Sequence, residues 1–193
     1  MASMPPRRDL VAFASLKAWE KWLAGNHADS PGVWLKLAKK DAGVASVSYA
    51  EAVEGALLYG WIDGQKAALD ERFWLQRFCP RTPKSPWSKI NRAKAEALIA
   101  AGRMKPAGVA AVEAARRDGR WDKAYDGQRT ATVPPDLERA LDGNGKARDF
   151  FATLNAANRY AILYRVQEAK KPETRAARIA KFVAMLADGK KLH

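Results

Sequence analysis

Hydrophobic positions along the chain switch between two periods, and the switches mark out the elements. Leu16, Trp19 and Leu23 recur at i, i+3 and i+7, which predicts a helix over residues 15–24, with Ser15 as N-cap and Gly25 as the stop. Residues 33–37 then alternate β-favouring apolar residues with mixed ones, and this predicts a short strand that breaks at Asp41, Ala42 and Gly43. Ser48 and Glu51 have the spacing of a capping box, in which each side chain satisfies the other's backbone N–H. Ala52, Val53, Ala56 and Leu57 supply the buried stripe of the helix that follows, and Gly60 ends it. From Trp61 to Phe78 the period moves toward two. Asp63-Gly64 predicts a tight turn, Asp70-Glu71 a second reversal, and residues 72–78 a strand. These strands predict a small antiparallel sheet of three or so members.

Past a proline-punctuated loop at residues 79–86, Ser88 is placed to cap a helix that runs to about Ala101 and closes at Gly102; Pro106 opens another that ends near Asp118-Gly119. Residues 122–132 are polar and contain glycine, as a linker does. Helical patterning then resumes over residues 135–141, 147–154, 158–169 and 172–187. The expected fold is α+β: a small antiparallel sheet packed with helices, followed by a helical C-terminal half. The expected division is an α+β core over residues 1–121, with a motif-rich stretch at 59–92, and a helical subdomain over 133–193 packed on that core.

Composition changes this picture in three ways. Of the 193 residues 48% are hydrophobic and seven are Trp, ample material for a buried core. Cys79 is the only cysteine, and His27 and His193 are the only histidines, so no internal disulfide, metal site or cofactor is expected. The net charge of +13 is concentrated: residues 77–120 hold eleven Lys/Arg against three Asp/Glu, and residues 157–193 hold nine against three. Such segments attract an anionic small molecule, nucleic acid or an acidic protein, although a basic solvated surface has the same composition. The first ten residues carry Pro5, Pro6, Arg7, Arg8 and Asp9 and lack the apolar stretch of a secretory signal, and no uncharged apolar run is long enough for a membrane span. The expected location is the cytoplasm.

Candidate chemistry collects in the motif-rich stretch. Arg77 and Arg81 flank Phe78 and Pro80, where they can grip a carboxylate or phosphate, with Trp87 as a stacking wall and the start of the Ser88 helix offering N–H donors. The alternative is that both arginines tie a loop to backbone carbonyls or acidic neighbours. Asn91 sits three residues past Ser88, placed either to bond back to the cap or to face a ligand. Asp63 is open to two roles, acceptor at a strand end or turn former. In the last helix Ile179, Phe182, Val183 and Leu186 form the apolar stripe, yet Arg175 falls in the same sector with Arg178 at its margin. A buried arginine requires an anionic ligand or a carboxylate such as Asp63. Asp63, Arg77, Arg81, Trp87, Ser88, Asn91, Arg175 and Arg178 are thus the anion-site candidates. Cys79 stands near arginines without an evident base, and no phosphate loop, dinucleotide fingerprint or nucleophile elbow is present.

Asn26-His27, Gly32-Val33-Trp34-Leu35, Lys39-Lys40, Gly60-Trp61-Ile62-Asp63-Gly64, Arg77-Phe78 with Pro80-Arg81, Trp87-Ser88 with Asn91, Pro106-Ala107-Gly108, Val133-Pro134 and Glu173-Thr174-Arg175 with Arg178-Ile179 together resemble the YdeI/OmpD-associated, or bacteriocin-protection, family of bacteria. Leu58 before Tyr59 and Ala177 before Arg178 depart from its pattern. The resemblance implies a soluble protein linked to bacteriocin or antimicrobial-peptide tolerance and to a porin partner, with no catalytic residues to carry over. The expected function is therefore a non-catalytic cytoplasmic protein of that family, connected with stress or peptide tolerance and binding an anionic partner. Two alternatives stand beside it: a nucleic-acid-binding protein with Trp74 and Trp87 as stacking groups, and an enzyme acting on a phosphorylated or carboxylated small molecule at Arg77, Arg81 and Asn91.

Overall fold

A computed structural model describes residues 10–193, so the signal-sequence reading of the first residues falls almost wholly outside the described part. The chain divides into two compact units, one ending at Lys123 and including everything before it except Ser88–Ile90, the other comprising Ser88–Ile90 and Ala124–His193. The fold class is α+β, as the two periods in the sequence predict.

The first unit holds β1 (Leu10–Val11), α1 (Leu16–Asn26), β2 (Val33–Ala38), α2 (Tyr49–Leu58), β3 (Trp61–Ala68), β4 (Phe73–Pro80), α3 (Lys89–Ala100, which belongs here from Asn91 onward) and α4 (Pro106–Arg117). The sheet has four strands in the order β1-β2-β4-β3, and it is mixed rather than antiparallel throughout, because the two-residue β1 pairs parallel to β2. So short a strand carries no readable alternation. The capping box at Ser48 and Glu51 forms as predicted, and its hydrogen bonds hold the Glu51 carboxyl below its ordinary range.

Contrary to its turn preference, Asp63-Gly64 makes no reversal: β3 continues through the pair, with a register shift against β4 between Asp63 and Lys66. The buried Gln76 amide donates to the carbonyls of Gly64 (2.9 Å) and Gln65 (3.2 Å), so the irregular stretch is held by a side chain from the neighbouring strand. Only the reversal at Asp70 forms, with its carboxylate accepting the N–H groups of Arg72 and Phe73.

The core of this unit is aromatic. Trp19 is fully buried, its ring 5.7 Å from Phe78 and 6.4 Å from Trp61 between centroids, and its indole N–H donates to the Ala52 carbonyl at 3.0 Å. α1 packs on α2 through Gly55, where an added Cβ would stand 2.7 Å from the Trp19 ring. α4 begins on the C-terminal carbonyls of α2, with the Lys105 N–H bonded to the Leu58 oxygen at 3.1 Å.

The second unit holds α5 (Pro135–Asp142), α6 (Gly145–Thr153), α7 (Ala156–Glu168) and α8 (Pro172–Ala187). Asn144 and Asn155 cap α6 and α7 with their side chains, and Leu137, Phe151, Ile162, Val166, Phe182 and Leu186 are central to its core. All seven tryptophans lie in the first unit, so tryptophan fluorescence reports that unit alone.

Candidate functional site

Strand register places a basic depression at the end of the sheet in the first unit. Trp74 on β4 is paired with Leu37 on one side and Ala68 on the other, and directly paired residues share a face. Lys66, two positions before Ala68, lies on that face as well, and the small Ala68 leaves space beside the indole. The Lys66 ammonium sits 4.5 Å from the Trp74 ring centre, and the Tyr49 ring packs at 5.8 Å. β2 ends where the Lys39 N–H bonds to the Arg72 carbonyl at 2.8 Å, and the turn beyond it uses Asp41 at φ 66, in the left-handed region that Asp tolerates. The result is a cavity of about 600 Å³ lined by Lys39, Lys40, Lys66, Ala67, Ala68 and Trp74. All three lysines are exposed, Trp74 is half-buried, and no carboxylate is among the described residues that line it.

The arginines singled out in the sequence point elsewhere. Arg77 donates to the Pro31 carbonyl at 3.2 Å, and Arg81 donates to the Pro86 carbonyl at 3.0 Å while its guanidinium lies 3.6 Å from the Trp87 ring centre. Trp87 is 2% exposed and also meets Trp121 edge-on at 4.8 Å, so its ring packs protein and offers no open wall to a ligand. Arg120, itself held by Asp118, donates to the Ser85 carbonyl at 2.8 Å. Arg81 and Arg120 thus fasten the loop that follows β4 through the carbonyls of Pro86 and Ser85, while Arg77 is tied to the segment before β2. Asp63 accepts the Tyr49 hydroxyl at 2.7 Å. Asn91 is half-buried in the first turn of α3. Burial, helped by Asp63, pushes the Cys79 thiol up against the opposing pull of Arg77 and Arg81, the reverse of what an activated nucleophile needs.

Within the second unit Ser88 is buried and bridges to Tyr125. Arg175 meets a carboxylate, and the partner is Asp136 rather than Asp63: Nε and Nη2 engage both of its oxygens, the latter at 2.9 Å, while Nη1 donates to the Val166 carbonyl at 2.8 Å. Arg178 donates to the Arg165 carbonyl at 2.7 Å and reaches Glu168 at 3.3 Å. Both arginines therefore project from α8 onto the last turn of α7, whose carbonyls and helix dipole favour cations.

The Arg175 hydrogen bond holds the Asp136 carboxyl below the usual carboxylate range. A depressed folded-state value adds stability above the unfolded value of about 4, and that stability is lost as pH falls through the folded value. Asp136→Asn is expected to cost about 1 kcal/mol near neutral pH, limited by the 35% exposure of the side chain, and to flatten the acid limb below about pH 4. Urea unfolding followed by circular dichroism at pH 7 and pH 3 checks this; equal pH dependence in both proteins would refute it.

Among the described residues no group of three or more His, Cys, Asp and Glu side chains is placed to hold a metal ion, and no helix is long and apolar enough to cross a membrane. Residues 11–111 match the model of a family described as Domain of unknown function (DUF8412), and residues 130–189 match the model described as Bacteriocin-protection, YdeI or OmpD-Associated. The second match supports the resemblance seen in Val133-Pro134 and in the α8 motif, whereas the motifs from Asn26 to Gly108 fall within the first. No curated protein and no solved structure matches the chain.

Proposed function

We propose, for a chain that belongs to the first of these families through more than half its length, that the protein is a non-catalytic cytoplasmic binder of anionic partners, and that the partner sits in the Lys39/Lys40/Lys66/Trp74 cavity. One observation carries the reading: three exposed lysines line one concave surface, and no carboxylate is among the described residues that line it. Elsewhere the prominent arginines are bound to protein carbonyls or carboxylates and have less to give a ligand. The C-terminal match connects the protein by description with bacteriocin protection. A chain of net charge +13 repels cationic peptides, so any contribution to peptide tolerance or stress runs through an anionic partner rather than through capture of the peptide.

Calorimetric titration with tripolyphosphate tests the site. The triple variant Lys39→Gln/Lys40→Gln/Lys66→Gln is expected to bind about tenfold more weakly or worse, and Lys105→Gln/Lys146→Gln/Lys181→Gln, with the same net charge and all three positions exposed, is expected to keep most of the affinity. Equal losses in the two triples would show that only overall charge matters and would remove the site.

A further inference from the structure

The cavity holds a feature that simple anion binding does not use, the half-buried Trp74 in its wall. Phosphate needs the lysines alone. An aromatic ring beside them suits a ligand with a flat π-face next to its negative charge. We propose that the site takes a phosphorylated nucleobase, with the base stacked on Trp74 and the phosphate held by Lys39 and Lys40. This rests on the anion-binding reading above and narrows it.

Three observations support it. The Lys66 ammonium already lies 4.5 Å from the Trp74 ring centre, which shows that this ring face is reachable by a polar group and is not buried against the core. Stacking of a base on the accessible face of the half-buried ring outweighs one exposed cation–π contact, so a base can displace the ammonium, and the lysine chain is long enough to turn toward the phosphate. The cavity, at about 600 Å³, falls in the range of small-molecule sites and is large enough for one nucleotide.

The same chemistry is available in a free nucleotide and in a single strand of nucleic acid. A polymer would meet a second ring: Phe73, the adjacent residue on β4 and therefore on the other face of the sheet, has the Lys36 ammonium 3.9 Å and the Arg72 guanidinium 5.8 Å from its centre. Phosphates crossing the end of the sheet would pass between the two sets of cations.

The experiment titrates the full chain with tripolyphosphate, adenosine 5′-diphosphate, a single-stranded oligonucleotide and the corresponding duplex at two salt concentrations. Wild-type protein should prefer the single strand over the duplex, whose bases are already stacked, or should bind the nucleotide at least as tightly as the more highly charged tripolyphosphate. Trp74→Ala should cost the base-bearing ligands about tenfold and leave tripolyphosphate nearly unchanged. Trp74→Phe, which keeps a ring and most of the local packing, should retain much of the preference and guards against a folding defect in the alanine variant. Dependence of oligonucleotide binding on Phe73 identifies the polymer as the ligand; oligonucleotide and nucleotide binding that both ignore Phe73 identify the small molecule. If base-bearing ligands lose no more than tripolyphosphate in Trp74→Ala, the nucleobase proposal is overturned while anion binding stands. If tripolyphosphate itself ignores the lysine triple variant, the underlying reading falls as well.

Discussion

Replacing Trp19 by alanine lowers the stability of the first unit by about 3–5 kcal/mol. The side chain is fully buried, and its ring packs within 5.4 Å of both Phe13 and Trp22, centroid to centroid, besides Phe78 and Trp61. Truncation empties the middle of that cluster, and the surrounding rings, most of them fixed on α1 and the sheet, collapse only in part. It also removes the hydrogen bond to the Ala52 carbonyl, a contribution of about 1 kcal/mol. Trp19→Phe keeps most of the buried area and should cost less than half as much. Urea unfolding followed by the remaining tryptophans gives the measurement, since none of them lies in the second unit. A loss under about 1 kcal/mol for the alanine variant would mean that the cluster is not the core of this unit.

Gly108→Ala is the second large effect, and here two physical terms oppose each other. Alanine in place of glycine within a helix favours the folded state by about 1 kcal/mol. At Gly108 the added methyl would stand 2.4 Å from both the Leu58 carbonyl oxygen and the Met104 sulfur, and 2.8 Å from the Leu57 oxygen. Two of those atoms belong to the backbone of α2 and cannot rotate away, so α4 must shift off the helix it packs against. Overpacking of this kind costs about 1–3 kcal/mol and more where backbone is the obstacle, so the steric term wins and a net loss of about 2 kcal/mol is expected. Gly25→Ala, in α1 with nothing within 4 Å, supplies the contrast and should be neutral or stabilising. The same fluorescence-detected unfolding compares the two; if both variants moved stability in the same direction, the close approach of α4 to α2 would be wrong.

The helices were legible because their signals are local. A capping box, a Pro at the first helical turn and an i, i+3, i+7 stripe each act within a few residues, and α2, α4 and α8 begin where those signals put them. Positions 33–37 and 72–78 were readable as strands for the same reason, and the strands observed there are Val33–Ala38 and Phe73–Pro80. Asp63-Gly64 misled because a turn dipeptide describes a preference that neighbours can override: β4 lay alongside, and Gln76 satisfied the displaced carbonyls, so the chain continued as a strand. The candidate site was visible only in pieces. Lys39-Lys40 stood out as a motif and Trp74 as an aromatic in a basic chain, but nothing in the sequence tied Lys66 to either. That connection depends on the register of β3 against β4 after an irregularity, a nonlocal quantity. The conspicuous arginines posed the opposite problem. Arg77, Arg81, Arg175 and Arg178 have the residue chemistry of anion ligands, and the structure engages them with carbonyls at Pro31, Pro86, Val166 and Arg165 and with the carboxylate of Asp136. The sequence by itself determined the charge, the elements and the α+β class, because composition and short-range periodicity suffice for these. Only the tertiary structure decided which acceptors hold the arginines, because a guanidinium binds whichever acceptor the fold brings within hydrogen-bond reach, and some of those acceptors, Pro31 for Arg77 and Asp136 for Arg175, lie far away along the chain.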